Sequence, residues 1–214
     1  MDEGMIKMHE EYIIQNERQL EDLFGEPSDL VKQKVCPTLD EPMIEFINRS
    51  PLLFLSTEDA NGQADVSPKG DAAGFVSVDI QGRLYIPERP GNKLTFGFRN
   101  ILRNPNVGLI FVVPNMRETL RLKGRATLTR DPDLLQQLSA GGKHALLCTV
   151  VEVDECFFHC GKAMIRSKLW QPDAWGKYKS SLLVRQVAGL MSADKATENA
   201  IEEGLEASYR DNLY

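Results

Sequence analysis

Two turns rich in lysine and glycine carry the residue types in this chain best suited to chemistry. The first is Ser67-Pro68-Lys69-Gly70-Asp71, at the end of a strand; the second is Pro90-Gly91-Asn92-Lys93, between a strand and a helix. An ammonium, a hydroxyl and an uncrowded glycine amide within one turn suit an oxyanion. The second turn reads as a helix opening, with Asn92 as cap and Lys93 in the first turn, where free amide hydrogens and the positive dipole end favour an anion. The plain alternative is two surface lysines in turns. Read functionally, the two turns meet on one phosphate-bearing ligand. No GxxxxGK[ST] and no strand-to-helix GxGxxG occurs, so neither a nucleoside triphosphate nor a Rossmann-bound dinucleotide is indicated.

Other candidates are weaker. Cys156, His159 and Cys160 are of zinc-ligand type but lack a second cysteine pair at finger spacing, so a buried thiol and a hydrogen-bonded histidine are the simpler reading. Trp170, preceded by Arg166 and Ser167, offers an aromatic plane and a guanidinium that suit a flat, charged ligand; the alternative is packing. With three histidines and no GxSxG or HExxH, hydrolase chemistry has little support.

The elements that must position these residues are mostly strands. Leu52–Leu55 and Val107–Val113 are wholly apolar runs, read as strands buried on both faces, the second of them central. Asn61-Gly62 and Gln81-Gly82 mark hairpin turns, and Phe75–Ile80 and Arg83–Pro87 flank the latter. Thr119–Thr129 alternates cleanly, with Leu120, Leu122, Gly124, Ala126 and Leu128 on one face and Arg121, Lys123 and Arg125 on the other. Leu146–Phe158 is the last long strand. Helices are expected over 9–24, from an Asp40 cap, over Leu94–Leu102, from Asp131-Pro132 and from near Asp194, the first two as covers for a sheet or barrel. About seven hairpin-joined strands with flanking helices imply a mainly β protein whose antiparallel sheet closes as a small barrel.

The chain has 214 residues and is 42% hydrophobic, enough for one full core. Its formal charge of -6 argues against nucleic acid or an anionic membrane as partner. The apolar runs are too short to span a bilayer, and the acidic first residues lack a signal-peptide pattern, so the cytoplasm is expected. Four unevenly spaced cysteines suggest reduced thiols.

In their order along the chain, Asp65-Val66-Ser67-Pro68-Lys69-Gly70-Asp71, Leu84-Tyr85-Ile86-Pro87 with Pro90-Gly91-Asn92-Lys93, Arg99-Asn100-Ile101 with Asn104-Pro105, Thr119-Leu120-Arg121 with Gly124-Arg125-Ala126, and His159-Cys160-Gly161-Lys162-Ala163 with Arg166-Ser167 and Leu169-Trp170 resemble the pyridoxamine 5'-phosphate oxidase-like family of FMN-binding split barrels. The resemblance is to its branch of FMN-dependent enzymes of unassigned substrate and spans roughly residues 40 to 175. It implies an antiparallel, Greek-key split β-barrel over 40–175, with helical extensions at 1–39 and 176–214. It also implies a homodimer holding FMN at the subunit interface, with a small-molecule substrate and an electron donor. By position, Val66, Ser67, Pro68 and Lys69 would line the flavin and its phosphate, Ile86 and Pro87 would lie along the ring, and Asn92 and Lys93 would hold the phosphate. Thr119 and Arg125 would reach the cofactor from the partner subunit, and Arg166, Ser167 and Trp170 would close the site. The vitamin-pathway oxidase has arginines where this chain has Asp65 or Val66 and Asn92, so pyridoxamine phosphate is not the expected substrate. The expected chemistry is hydride or electron transfer through the flavin, with no protein residue assigned as acid or base. The alternative is a flavin or haem carrier on the same barrel, with His159 as axial ligand.

Overall fold

The computed structural model describes residues 6–176 and 181–214. The chain divides into two compact units, Met1–Val35 and Cys36–Tyr214. In the first, the helix expected over 9–24 is interrupted. A short 3-10 turn at Glu10–Tyr12 gives way to extended backbone at Ile13, and helix α1 (Glu17–Phe24) starts only where the Asn16 side chain accepts the Gln19 amide. Gly25, at φ 70°, ends α1, and a short helix α2 (Asp29–Gln33) follows.

The second unit is built on one antiparallel sheet of seven strands: β1 (Leu52–Glu58), β2 (Ala64–Gly70), β3 (Ser77–Val78), β4 (Leu84–Glu88), β5 (Asn106–Val112), β6 (Thr119–Thr129) and β7 (Leu147–His159), in the spatial order β2-β1-β5-β6-β7-β4-β3. Hairpins join β1 to β2, β3 to β4 and β5 to β6; the chain crosses from one end of the sheet to the other after β2, and returns after β4 to β5, beside β1. No ladder joins β2 to β4, so the sheet curls without closing: a split barrel, as expected. Helix α3 (Glu41–Arg49), capped by Asp40 on the Met43 amide, covers the barrel with Met43, Phe46 and Ile47. These pack with Leu53, Leu55, Leu84, Ile86, Leu109, Phe111, Leu120, Leu122 and Val151 in the main core, where each large buried side chain contributes about 1.5–3 kcal/mol.

β6 alternates as its sequence predicts and is the longest partner of β7. At the register shift after Lys123, Gly124 approaches the β7 backbone so closely that a Cβ there would lie 2.0 Å from the Glu152 carbonyl oxygen. Only glycine fits that position.

Two apolar runs differ from expectation. Leu53 and Leu55 are buried but Phe54 is 37% exposed, and on β5 Ile110 is 39% exposed among buried neighbours. One face of each strand lies in the barrel core, and the other is partly exposed. The run Phe75–Ile80 supplies only the two-residue β3, because Phe75 closes a turn onto the Ala72 carbonyl and Asp79 opens the hairpin. Helix α4 (Phe96–Arg103) packs on β1 and β2, tied by an Asn100–Thr57 hydrogen bond of 3.1 Å. It begins four residues beyond the expected Asn92 cap, since Lys93 and Thr95 both sit in the left-handed region, at φ 62° and 56°, and cannot start a right-handed helix. Asn92 instead accepts the Leu94 amide. Short helices α5 (Pro132–Gln137) and α6 (Lys162–Ser167) flank β7. The C-terminal part forms a helix pair, α7 (Leu182–Leu190) and α8 (Lys195–Asp211), the latter capped by Asp194 as expected; residues 177–180, within the expected extension, lie outside the described residues.

Candidate functional site

The first lysine–glycine motif lies at the end of β2 and the second just after β4, both on the open side of the sheet. β2 is an outermost strand, and β4 pairs with β3 only at Leu84 and Tyr85, so from Ile86 onward its outer edge is unpaired in the sheet. These edges face each other across a seam held by two ion pairs of opposite polarity. Inside the barrel, the Lys69 ammonium donates to Glu88 at 2.6 Å, and the Thr149 hydroxyl donates to the other Glu88 oxygen at 2.8 Å. Both side chains are largely buried, and the ring of Phe98, in the first turn of α4, lies 4.6 Å from the ammonium. At the rim, Arg89 Nε donates to Asp71 at 2.9 Å, and the Tyr214 hydroxyl donates to the second Asp71 oxygen at 2.8 Å. Burial alone would push the Asp71 carboxyl up. The Ala72 amide, Tyr214 and Arg89 together outweigh that and hold it below its ordinary 3.8.

The expected site residues therefore form two groups. In the first, Val66 and Pro68 project outward from β2, whereas Ser67 and Lys69 turn inward. α4 seats Gly97 against Asp65, with the position of a Cβ 3.7 Å from the carboxylate, so the loop carrying Asn92 and Lys93 enters a helix that lies on β2. Lys93 is exposed. Ile86 and Pro87 stand across the seam on β4, with the Ile86 side chain wholly in the core, leaving its backbone as the part that can meet a ligand. Lys69 is committed to Glu88 and gives the seam its inner closure.

The second group lies elsewhere. Thr119 is buried at the start of β6 opposite His159, about 14 Å from β2 across three strand spacings. Trp170 donates its indole N–H to the Met116 carbonyl at 2.7 Å, just before β6, which holds the end of α6 there. Arg166 and Ser167 are exposed on α6. Arg125 is about 20 Å further along β6 from Thr119, exposed and paired with Glu152 at 3.3 Å. Within one chain the second group does not join the first.

On the outer sheet face, Pro68, Phe54, Ile110, Arg121 and Phe157 form one cross-strand row. The Arg121 guanidinium lies 5.2 Å from the centre of the Phe157 ring, and a groove of about 290 Å³ opens beside the row, lined also by Val66 and Ser56. Cys156 points into the core, its thiol on the Cys36 carbonyl, whereas His159 and Cys160 are exposed, and among the described residues no group of three or more His, Cys, Asp or Glu could hold a metal.

Glu88, Thr149, Arg89 and Tyr214 were absent from the sequence expectation. Glu88 had a readable signal: on β4 it continues the inward alternation Leu84, Ile86, Glu88, and an acid in a core position needs a cation. Tyr214 had none, because its contact with Asp71 spans most of the chain.

Residues 39–160 match the family model described as pyridoxamine 5'-phosphate oxidase. No curated protein matches the sequence. Solved structures include HupZ of Group A Streptococcus, 18% identical with a TM-score of 0.46 over 56% of this chain and 94% of HupZ. A proposed pyridoxamine 5'-phosphate oxidase of Lactobacillus delbrueckii is 23% identical with a TM-score of 0.44 over 57% of this chain and 95% of its own. HutZ, the heme storage protein of Vibrio cholerae, is 16% identical with a TM-score of 0.40 over 58% of this chain and 97% of its own. With more than half of its length matched by the family model, this chain, an open antiparallel barrel, belongs to the pyridoxamine 5'-phosphate oxidase family.

Proposed function

We propose that this protein is an FMN-dependent oxidoreductase that works as a homodimer, with the flavin at the interface against the free edge of β2. The observation that carries this reading is the pairing of two incomplete surfaces. The β2 edge leaves backbone N–H and C=O groups unpaired next to the Asn92–Lys93 loop, and the adjoining outer sheet face is apolar and open, with Val66 60% exposed beside Phe54 and Ile110. A strand with a continuous apolar run is normally covered on both faces. A second copy laid on the row from Phe54 to Phe157 would supply that cover.

The residues present fit the group. Val66, Ser67 and Pro68 with the backbone of Ile86 and Pro87 would border the ring, and Asn92 and Lys93 would hold the phosphate. The left-handed backbone at Lys93 and Thr95 is a conformation found at ligand clamps, where the surroundings over-determine it. Thr119, Arg125, Arg166, Ser167 and Trp170 of the partner subunit would complete the site. When bound, the flavin supplies hydride or electron transfer, and the chain positions it and excludes water. The substrate is a small molecule.

Titration with FMN, read by quenching of flavin fluorescence, tests this reading. Lys93→Ala should weaken FMN binding about ten-fold or more through loss of one charge-assisted contact. Ile110→Arg should abolish both dimer and binding. A monomeric wild type that ignores FMN would refute the proposal.

A further inference from the structure

A pocket between α3 and the turn that joins β5 to β6 contains none of the residues placed on the flavin. It measures about 270 Å³, and its apolar part is made by the Phe46 ring, the Phe158 ring and the Met116 side chain. The two rings meet edge to face with centres 5.4 Å apart, which gives a firm apolar corner, while the flexible thioether of Met116 adapts to whatever fills the rest. The charged residues on the rim are Glu45, Arg49 and Glu118.

The turn that carries Met116 and Glu118 is clamped. Asn115 takes left-handed backbone at φ 66°, the Met116 amide donates to the Val113 carbonyl at 3.1 Å, and the Met116 carbonyl accepts the Trp170 indole N–H at 2.7 Å. Gly161, where β7 runs into α6, packs on the same turn so closely that a Cβ there would lie 2.5 Å from that of Arg117. Met116 and Glu118, on either side of Arg117, are thereby fixed at the pocket. The charges around it do not balance. Arg49 is bonded to Glu45, one helical turn before it, so these two neutralise each other. Glu118 is half-buried and has no ion pair among the described residues. A partly desolvated carboxylate beside an apolar corner favours a cation whose remainder is apolar.

We propose that this pocket binds a small amphipathic cation, a primary ammonium on a short alkyl chain, with the ammonium on Glu118 and the chain against Phe46, Phe158 and Met116. The volume lies just under the range of about 300–1,000 Å³ usual for small-molecule sites, so the chain is a short one. An ammonium gains from the carboxylate and from the neighbouring rings, whereas an anionic head would meet Glu118 with like charge. The site is independent of the flavin reading and stands or falls without it.

The test uses hexylamine, hexanol and hexanoate at neutral pH on the full chain. The three share one alkyl chain and differ in head group: cation, neutral, anion. Binding is read from the methyl resonance of Met116 in protein with isotope-labelled methionine methyl groups, assigned by its loss in Met116→Leu. Wild type should bind hexylamine about ten-fold more tightly than hexanol and should not respond to hexanoate. Glu118→Gln should bring hexylamine down to the affinity of hexanol and leave hexanol unchanged. Arg49→Gln should act in the opposite direction, tightening hexylamine several-fold, because it removes the rim cation and frees Glu45. Near-ultraviolet circular dichroism checks that both variants keep the wild-type fold, and loss of structure would not move the two in opposite directions.

A Met116 resonance that ignores hexylamine, or that responds to hexanol or hexanoate as strongly, overturns the proposal. So does a Glu118→Gln protein that keeps the full preference for the amine.

Discussion

Removing one partner of the inner seam pair should cost more than removing both, most of all when the partner removed is Lys69. Lys69 and Glu88 face each other at 2.6 Å with side chains 16% and 5% exposed, so neither charge is well hydrated. Breaking a buried pair from one side typically costs about 3–5 kcal/mol, because the remaining charge has no counter-ion, whereas replacing both partners is often close to neutral. The two single variants should also differ. Lys69→Met leaves the Glu88 carboxylate with only the Thr149 hydroxyl, so it should lie near the top of that range, at about 4 kcal/mol. Glu88→Gln leaves an ammonium that keeps its contact with the Phe98 ring and can swing its flexible stem toward water, so it should cost less, about 2–3 kcal/mol. The double variant should lose only about 2 kcal/mol, giving a coupling energy of about 4–5 kcal/mol. Urea unfolding of all four proteins at fixed concentration measures this, and in heat the Lys69→Met midpoint should fall by about 8–16 °C. Additive single effects, or single effects below about 1 kcal/mol, would show that the pair does not hold the seam.

Three other outcomes follow from particular contacts. Gly124→Ala should destabilise by at least about 2 kcal/mol in urea unfolding, because the new methyl meets the Glu152 carbonyl; a neutral effect would mean the register shift can relax. The rim latch has a pH window. Asp71 is held below 3.8, so its contribution is present above that value and lost as pH falls through its folded value. Tyr214 is raised above 10.0 by its bond to Asp71, so its contribution holds below 10.0 and is lost as pH rises through its folded value. Asp71→Asn should flatten the acid limb of a stability–pH curve, and an unchanged limb would contradict the latch. Burial pushes the Cys148 and Cys156 thiols up to about 11, so in the folded protein maleimide labelling should reach exposed Cys160 first, and rapid labelling of Cys148 would contradict its place in the core.

Local signals were legible in the sequence wherever one residue type decides the outcome. Asp40, Asp131 and Asp194 cap the helices their positions suggest, and the alternation of Thr119–Thr129 sets the faces of β6. The start of α4 was not legible, because Asn92 looks like a cap and nothing local announces left-handed backbone at a lysine and a threonine. α7 falls within the extension expected to be helical but was not placed as an element of its own: Arg185 and Gln186 interrupt its apolar run, and only Val184 and Ala188 are buried. The apolar runs of β1 and β5 were read as doubly buried, and their sequences do carry that demand; the chain alone meets it on one face. At the site, the two motif turns were legible as a pair. The role of Lys69 was not, since Glu88, nineteen residues on, becomes its partner only when the sheet curls.

Sedimentation of the protein mixed with FMN, followed at once in the protein and visible flavin bands, tests the central claim most directly. A dimer carrying flavin equimolar with its chains, with flavin lost together with the dimer in Ile110→Arg, is the expected result. Flavin left behind by the protein, or a monomer that binds it as well as the dimer does, would contradict a flavin site built at the interface between two copies.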